Sequence, residues 1–219
     1  MPAVVRAVMF DLDGTLIDTM GGFADLASEI MAARHGLPFA RGRQRYLETS
    51  GIPFRQQLDV IHPAHAENDA ASAEFEHRKR AVCDLATMSA TTRAALETFR
   101  AAGMKLIVSS NSAQHFVDEF ATRAQFRFDL VLGFDAGIGL AKGRPHVDFT
   151  SARLGIASDE IVFCGDSLKD GELARDCGIA FVGRLGTFTR DEFHAWNAQV
   201  QVVEDIRALV PLLQSRAAA

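Results

Sequence analysis

Cysteine, tryptophan, tyrosine and lysine are scarce in this chain of 219 residues, which holds three, one, one and four of them. Cys83, Cys164 and Cys177 are an odd number at wide, irregular spacing, which argues against a disulfide framework or a zinc cage and fits reduced intracellular thiols. Cys164, inside an apolar run, reads as a small core residue. No apolar run approaches the roughly 20 residues needed to span a bilayer. The opening "MPAVVRAVMFDLDG" has no signal-like apolar segment with a cleavage site, so a cytoplasmic protein without a membrane partner is expected. A basic footprint is lacking too. The net charge is -5, and the 23 cationic side chains are scattered, which argues against a nucleic acid partner. "GFDAGIGLAKG", 133 to 143, lacks both the G-x-G-x-x-G fingerprint and a GK[ST] ending, so it reads as a flexible loop rather than a nucleotide cradle.

What is present is a foldable composition. With 48% hydrophobic and 23% charged residues, the chain can bury a full core, as one domain with an insertion or as two small domains. Apolar runs recur at "VVRAVMF" (4 to 10), "KLIVSS" (105 to 110), "FDLVLG" (128 to 133), "EIVFCG" (160 to 165), "IAFVG" (179 to 183) and "VQVV" (200 to 203). Their near-continuous apolarity predicts strands covered on both faces. Helical spacing marks 91 to 103, 113 to 125 and 171 to 178, with Gly103 and Gly178 as stops. Strands alternating with helices imply an α/β fold with a Rossmann-like parallel sheet, whose ligands gather beyond the carboxyl ends of the strands. Residues 19 to 87 carry no convincing strand and read as a helical insertion.

The stretch "FDLDGT" sets two aspartates one residue apart directly after the first strand. Like charges this close repel, and a divalent cation would offset them. Positions i and i+2 of an extended segment share a side, so Asp11 and Asp13 can face one reaction centre while Leu12 turns inward. Ser109, Lys142 and Asp166 also follow strands or lie in the loops beyond them. The predicted topology therefore brings these polar residues to one sheet edge.

"DLDGT", "VSSNS", a lysine in "AKGRP" and "GDSLKD", in this order, resemble the four signatures of the haloacid dehalogenase superfamily. The resemblance covers essentially the whole chain. It implies a Rossmann-like catalytic core over 1–18 and 88–219 and an inserted α-helical cap over 19–87. It also implies a magnesium-dependent phosphatase acting on a small phosphorylated metabolite. Phosphoglycolate, a sugar phosphate and a nucleotide monophosphate are all compatible with it.

Carried onto this sequence, the pattern makes Asp11 the nucleophile that forms an aspartyl phosphate, because a bound cation removes the repulsion between carboxylate and phosphate. Asp13 becomes general acid and then base, which requires the two carboxyls to differ in proton affinity. Asp11, the backbone carbonyl of Asp13 and Asp166 would hold Mg2+, a hard ion that prefers oxygen and keeps several waters. Gly14 would permit the tight turn, and Thr15 would help to fix the loop. Ser109 is the preferred phosphate ligand, with Ser110 contributing its amide or, alternatively, the hydroxyl. Lys142 is the preferred cation for the phosphoryl oxygens, with Arg144 as its rival, because the usual Lys-Pro is absent here. Asp170 would support the metal's waters or orient Lys142.

An acid at position 13 favours phosphate esters over halides and phosphonates. Lys79, the single lysine between 19 and 87, sits in the charged "EHRKR" and is expected on a solvated face. "HPAH" (62 to 65) and His77 are likewise expected at the surface. Specificity is expected in "ETSGIPFRQQL" (48 to 58), where Arg55 could reach a substrate tail, with Asp18 and Thr19 serving a hinge. Two alternatives share these motifs: a phosphomutase of the β-phosphoglucomutase type, and a non-catalytic binding protein on the same fold.

Overall fold

The computed structural model describes residues 4–214. Six parallel strands, β1 (Ala7–Phe10), β2 (Lys105–Ala113), β3 (Leu130–Phe134), β4 (Ile161–Gly165), β5 (Ala180–Arg184) and β6 (Gln201–Val203), form one sheet in the order β3-β2-β1-β4-β5-β6. Each expected apolar run supplies one strand. β1 is central: Phe10 is in register with Val108 on one side and Cys164 on the other. All four β1 residues are buried, as a strand covered on both faces requires. The next residue, Asp11, leaves the sheet at its carboxyl edge and still anchors its amide on the Cys164 carbonyl at 2.9 Å.

The helices α1 (Met20–His35), α2 (Phe39–Glu48), α3 (Phe54–Ile61) and α4 (Asn68–Leu85) precede the second strand. The helices α5 (Ala90–Ala101), α6 (Gln114–Ala124), α7 (Arg144–Leu154), α8 (Leu168–Cys177), α9 (Arg190–Trp196) and α10 (Ile206–Gln214) alternate with or follow the later strands. The expected helices correspond to α5, α6 and α8. α7 was not anticipated, because it buries only His146, Val147 and Thr150 and so carries little apolar periodicity.

The chain divides into two compact units, Met1–Ile17 with Met88–Ala219, and Asp18–Thr87. In the larger unit, Met9, Ile107, Phe163 and Val147 belong to one buried cluster between the sheet and α7 and α8. The smaller unit has its own core, in which Phe23, Tyr46, Phe54 and Phe75 meet; the Phe54 and Phe75 ring centroids are 4.5 Å apart.

One reading of this unit is corrected by its packing. Lys79 is buried, at 5% exposure, and reaches Glu76 at 2.6 Å, its aliphatic stem absorbed by the helical unit. His65 and His77 are exposed as expected, while His62 is half-buried and stacks its ring on His35 at 4.3 Å. No helix among the described residues is long and apolar enough to cross a membrane.

Candidate active site

At the carboxyl edge of β1 the chain turns sharply: the Gly14 amide donates to the Ile17 carbonyl at 2.8 Å, and the amides of Leu16 and Ile17 return to Leu12. This turn leaves Leu12 in the core at 3% exposure and keeps Asp11 buried at 5%. β4 delivers Asp166 beside it, and the loop between β3 and α7 delivers Lys142. Carboxylate oxygens of Asp11, Asp166 and Asp170 all lie within 4.8 Å of one another. Among the described residues, no other group brings three candidate metal ligands together.

Lys142 organises this cluster. Its Nζ stands 2.5 Å from Asp11 Oδ1 and 2.6 Å from Asp170 Oδ1, with the side chain almost fully buried. Asp170 is itself fixed. Its Oδ2 accepts from the Ser167 amide at 3.2 Å and the Ser167 hydroxyl at 2.8 Å, the capping box that opens α8. Gly165 makes this possible, since a Cβ there would meet Asp170 Oδ2 at 2.5 Å. Arg144, the rival cation, is exposed at the start of α7 and donates to the Asp176 carbonyl, away from this cluster.

The electrostatics are those of crowded buried acids. Burial raises the Asp11 carboxyl well above the usual range, Lys142 opposes this, and Asp170, Asp166 and Asp13 add to the rise. Asp166 is pushed up to about 7 by burial and by Asp170, against a hydrogen bond from Thr187 and the charges of Lys142 and Arg184. For Lys142, burial lowers the proton affinity, but Asp11 and Asp170 more than reverse this and hold it protonated. The cluster thus favours a further cation.

Asp13 is more exposed than Asp11 and accepts from the Ser112 hydroxyl at 3.2 Å. Ser109 departs from expectation. Its hydroxyl is fully buried and bonded to His146 Nδ1 at 2.8 Å, on the side of the sheet covered by α7. The His146 Nε2 stands 3.0 Å from the Gly133 carbonyl, which only accepts, so Nε2 carries the proton and Nδ1 accepts from Ser109. Ser110, one residue on, accepts from the Ser112 amide at 3.0 Å and thereby joins the loop that reaches Asp13. Arg55 lies in the helical unit with its guanidinium engaged by two carboxylates: Nη1 by Asp59 and Nε by Asp69 at 2.5 Å. Thr187, Arg184 and His146 had no local motif to mark them, and Ser112 lay within "VSSNS" without being singled out.

His146 supplies a stability prediction. Burial lowers its pKa to about 4, against roughly 6.5 unfolded, so the unfolded chain binds the extra proton first and stability falls as pH drops through that window. This group alone should remove about 2 kcal/mol between pH 7.5 and pH 5. Urea midpoints for the wild type and His146→Gln should show the variant less stable at pH 7.5 and with a shallower decline toward pH 5. Parallel declines would show that His146 is not buried neutral.

A family model described as haloacid dehalogenase-like hydrolase matches residues 8–184. A phosphoglycolate phosphatase of Pseudomonas savastanoi pv. phaseolicola is 25% identical over 217 residues, covering 94% of this chain and 79% of the relative. A phosphorylated carbohydrates phosphatase of Thermotoga maritima is 27% identical over 185 residues, covering 80% of this chain and 82% of the relative. In fold, the chain is similar to a solved structure described as a predicted phosphatase from Clostridium acetobutylicum, with a TM-score of 0.81 at 18% identity, over 97% of this chain and 99% of that one. A family match spanning most of the chain, on a fold whose sheet edge gathers the signature residues, makes it a member of the haloacid dehalogenase-like hydrolases.

Proposed function

We propose that this hydrolase is a magnesium-dependent phosphatase that cleaves a small phosphate monoester through an aspartyl phosphate on Asp11. The observation that carries this reading is the buried set of Asp11, Asp166 and Asp170 around a single lysine. The relatives named for phosphoglycolate and for phosphorylated carbohydrates support small phosphorylated metabolites as the substrate class. A cytoplasmic location accords with that class.

The donor set fits magnesium. All candidate ligands are hard oxygens, and Asp170 is committed to Lys142 and Ser167, which leaves Asp11, Asp166 and the Asp13 carbonyl as protein ligands and room for waters. The bound ion would offset the carboxylate-phosphate repulsion and polarise the phosphoryl group.

Asp11, whose ionised form Lys142 favours and the bound ion would secure against burial, attacks phosphorus in line with the leaving oxygen. Lys142 shares its charge between Asp11 and the phosphoryl oxygens, while Asp170 keeps the ammonium in place. Asp13, oriented by Ser112, protonates the departing alkoxide and then takes a proton from the water that hydrolyses the aspartyl phosphate. The hydroxyl and amide of Ser110 replace Ser109 as phosphate ligands, because Ser109 is tied to His146. We assign substrate selection to the helical unit, as a cap that excludes bulk water during turnover. Arg55 stays the candidate of this unit for a substrate tail, although Asp59 and Asp69 compete for its charge.

The test is phosphate release from a panel of small esters, phosphoglycolate and glucose 1-phosphate included, with magnesium and with excess chelator, alongside a product-isomer assay. Metal-dependent release is expected. Isomer formation without free phosphate would replace the phosphatase with a mutase, and no metal-dependent chemistry on any ester would end the enzymatic reading. Ser110→Ala should raise KM at least about threefold for each ester turned over, and Ser109→Ala should leave KM unchanged; the reverse pattern would restore Ser109 as the phosphate ligand.

A further inference from the structure

We propose that Arg184 is a positioning residue of this site, whose hydrogen bond holds the Asp13 loop and whose fixed charge sets the affinity for the divalent cation. The inference rests on the metal-dependent reading above. Arg184 closes β5, and its Nη1 donates to the Gly14 carbonyl at 2.8 Å. That carbonyl belongs to the residue after Asp13, inside the turn that aims both aspartates. Space for the guanidinium is made by a missing side chain: a Cβ on Gly186 would lie 2.5 Å from Arg184 Nη1.

Three residues beyond Arg184, the Thr187 hydroxyl donates to Asp166 Oδ2. The run from 184 to 187 therefore grips two loops at once, the one after β1 through Gly14 and the one after β4 through Asp166. Arg184 thus acts on the loop after β1 and its neighbour Thr187 on the loop after β4, the two loops that carry the proposed metal ligands.

Charge gives the link its functional sense. Asp11, Asp166 and Asp170 share one field with Lys142 and Arg184, so removing Arg184 makes the field that meets the cation more negative by one charge. Arg184 thus moderates a cluster that would otherwise hold the ion too tightly and repel the incoming phosphate. The partner of its Nη1 is a neutral carbonyl, and its Nε is buried without a hydrogen-bond partner.

The charge and the hydrogen bond separate in two variants. Manganese binding is measured by calorimetry without substrate on the wild type, Arg184→Gln and Arg184→Lys, and phosphate release is measured separately. Arg184→Gln should bind manganese about tenfold more tightly while kcat falls. Arg184→Lys, which keeps the charge but not the planar reach to the Gly14 carbonyl, should bind manganese like the wild type and still lose about fivefold in kcat. Unchanged or weaker binding by Arg184→Gln would overturn the charge role, and an unchanged kcat in Arg184→Lys would overturn the loop role. A wild type that binds no manganese would instead overturn the metal-dependent reading beneath both.

Discussion

Asp11→Asn is expected to reduce phosphate release by at least about 10,000-fold on every ester that the wild type cleaves, because it removes the group proposed to attack phosphorus. The amide retains the size of the side chain and can still meet Lys142, so the variant should fold and bind phosphate. The loss should therefore appear in kcat. A variant within tenfold of wild type would show that another group makes the bond to phosphorus. Asp13→Asn separates the two steps in a different way. With an alkyl ester, whose leaving group needs a proton, the drop should be about 1,000-fold or more. With p-nitrophenyl phosphate, which departs without one, the first step should survive and release a burst of nitrophenol stoichiometric with enzyme. Equal losses on both substrates, with no burst, would remove Asp13 as the acid.

Lys142→Ala carries the second large effect, and it joins activity to stability. Removing a buried charge that neutralises two carboxylates costs about 3–5 kcal/mol, since Asp11 and Asp170 are left facing each other without solvent. Catalysis should fall about 1,000-fold as well, because the phosphoryl oxygens lose their cation. Magnesium provides the decisive comparison. The ion should raise the melting temperature of Lys142→Ala more than that of the wild type, because it then relieves a larger repulsion. Equal shifts would show that the lysine and the ion do not share a field. Lys142→Arg should rescue little, since a planar fork does not reproduce the point contact that the ammonium makes with both carboxylates.

The sheet was legible because its strands are short, continuously apolar runs, and the acids were legible because Asp11 and Asp166 each directly follow a strand. Ser109 shows where such reading stops. Adjacent strand residues face opposite sides of a sheet, so choosing between Ser109 and Ser110 was a choice of face, and no local pattern in "VSSNS" fixes that parity. Packing fixes it, through His146 on a helix 37 residues away in sequence. Arg184 and Thr187 were illegible for a related reason: their partners, Gly14 and Asp166, are 170 and 21 residues distant. Lys142 could be preferred over Arg144 only on the chemistry of a point charge, whereas the fold separates them by starting a helix at Arg144.

The central place of β1 bears on how this protein is made. At roughly 5–20 residues per second, a ribosome needs several seconds after β1 to finish β2 and longer still to finish β4, so the innermost strand waits for both neighbours. Meanwhile the whole of Asp18–Thr87, whose apolar cluster is complete within itself, has been synthesised. The nascent chain accordingly exposes the apolar segment Ala7–Phe10 until residue 165 is available. A trigger-type chaperone that shields this segment, or a slow stretch of codons shortly after the helical unit, would act on the yield of active protein without touching a residue of the finished site.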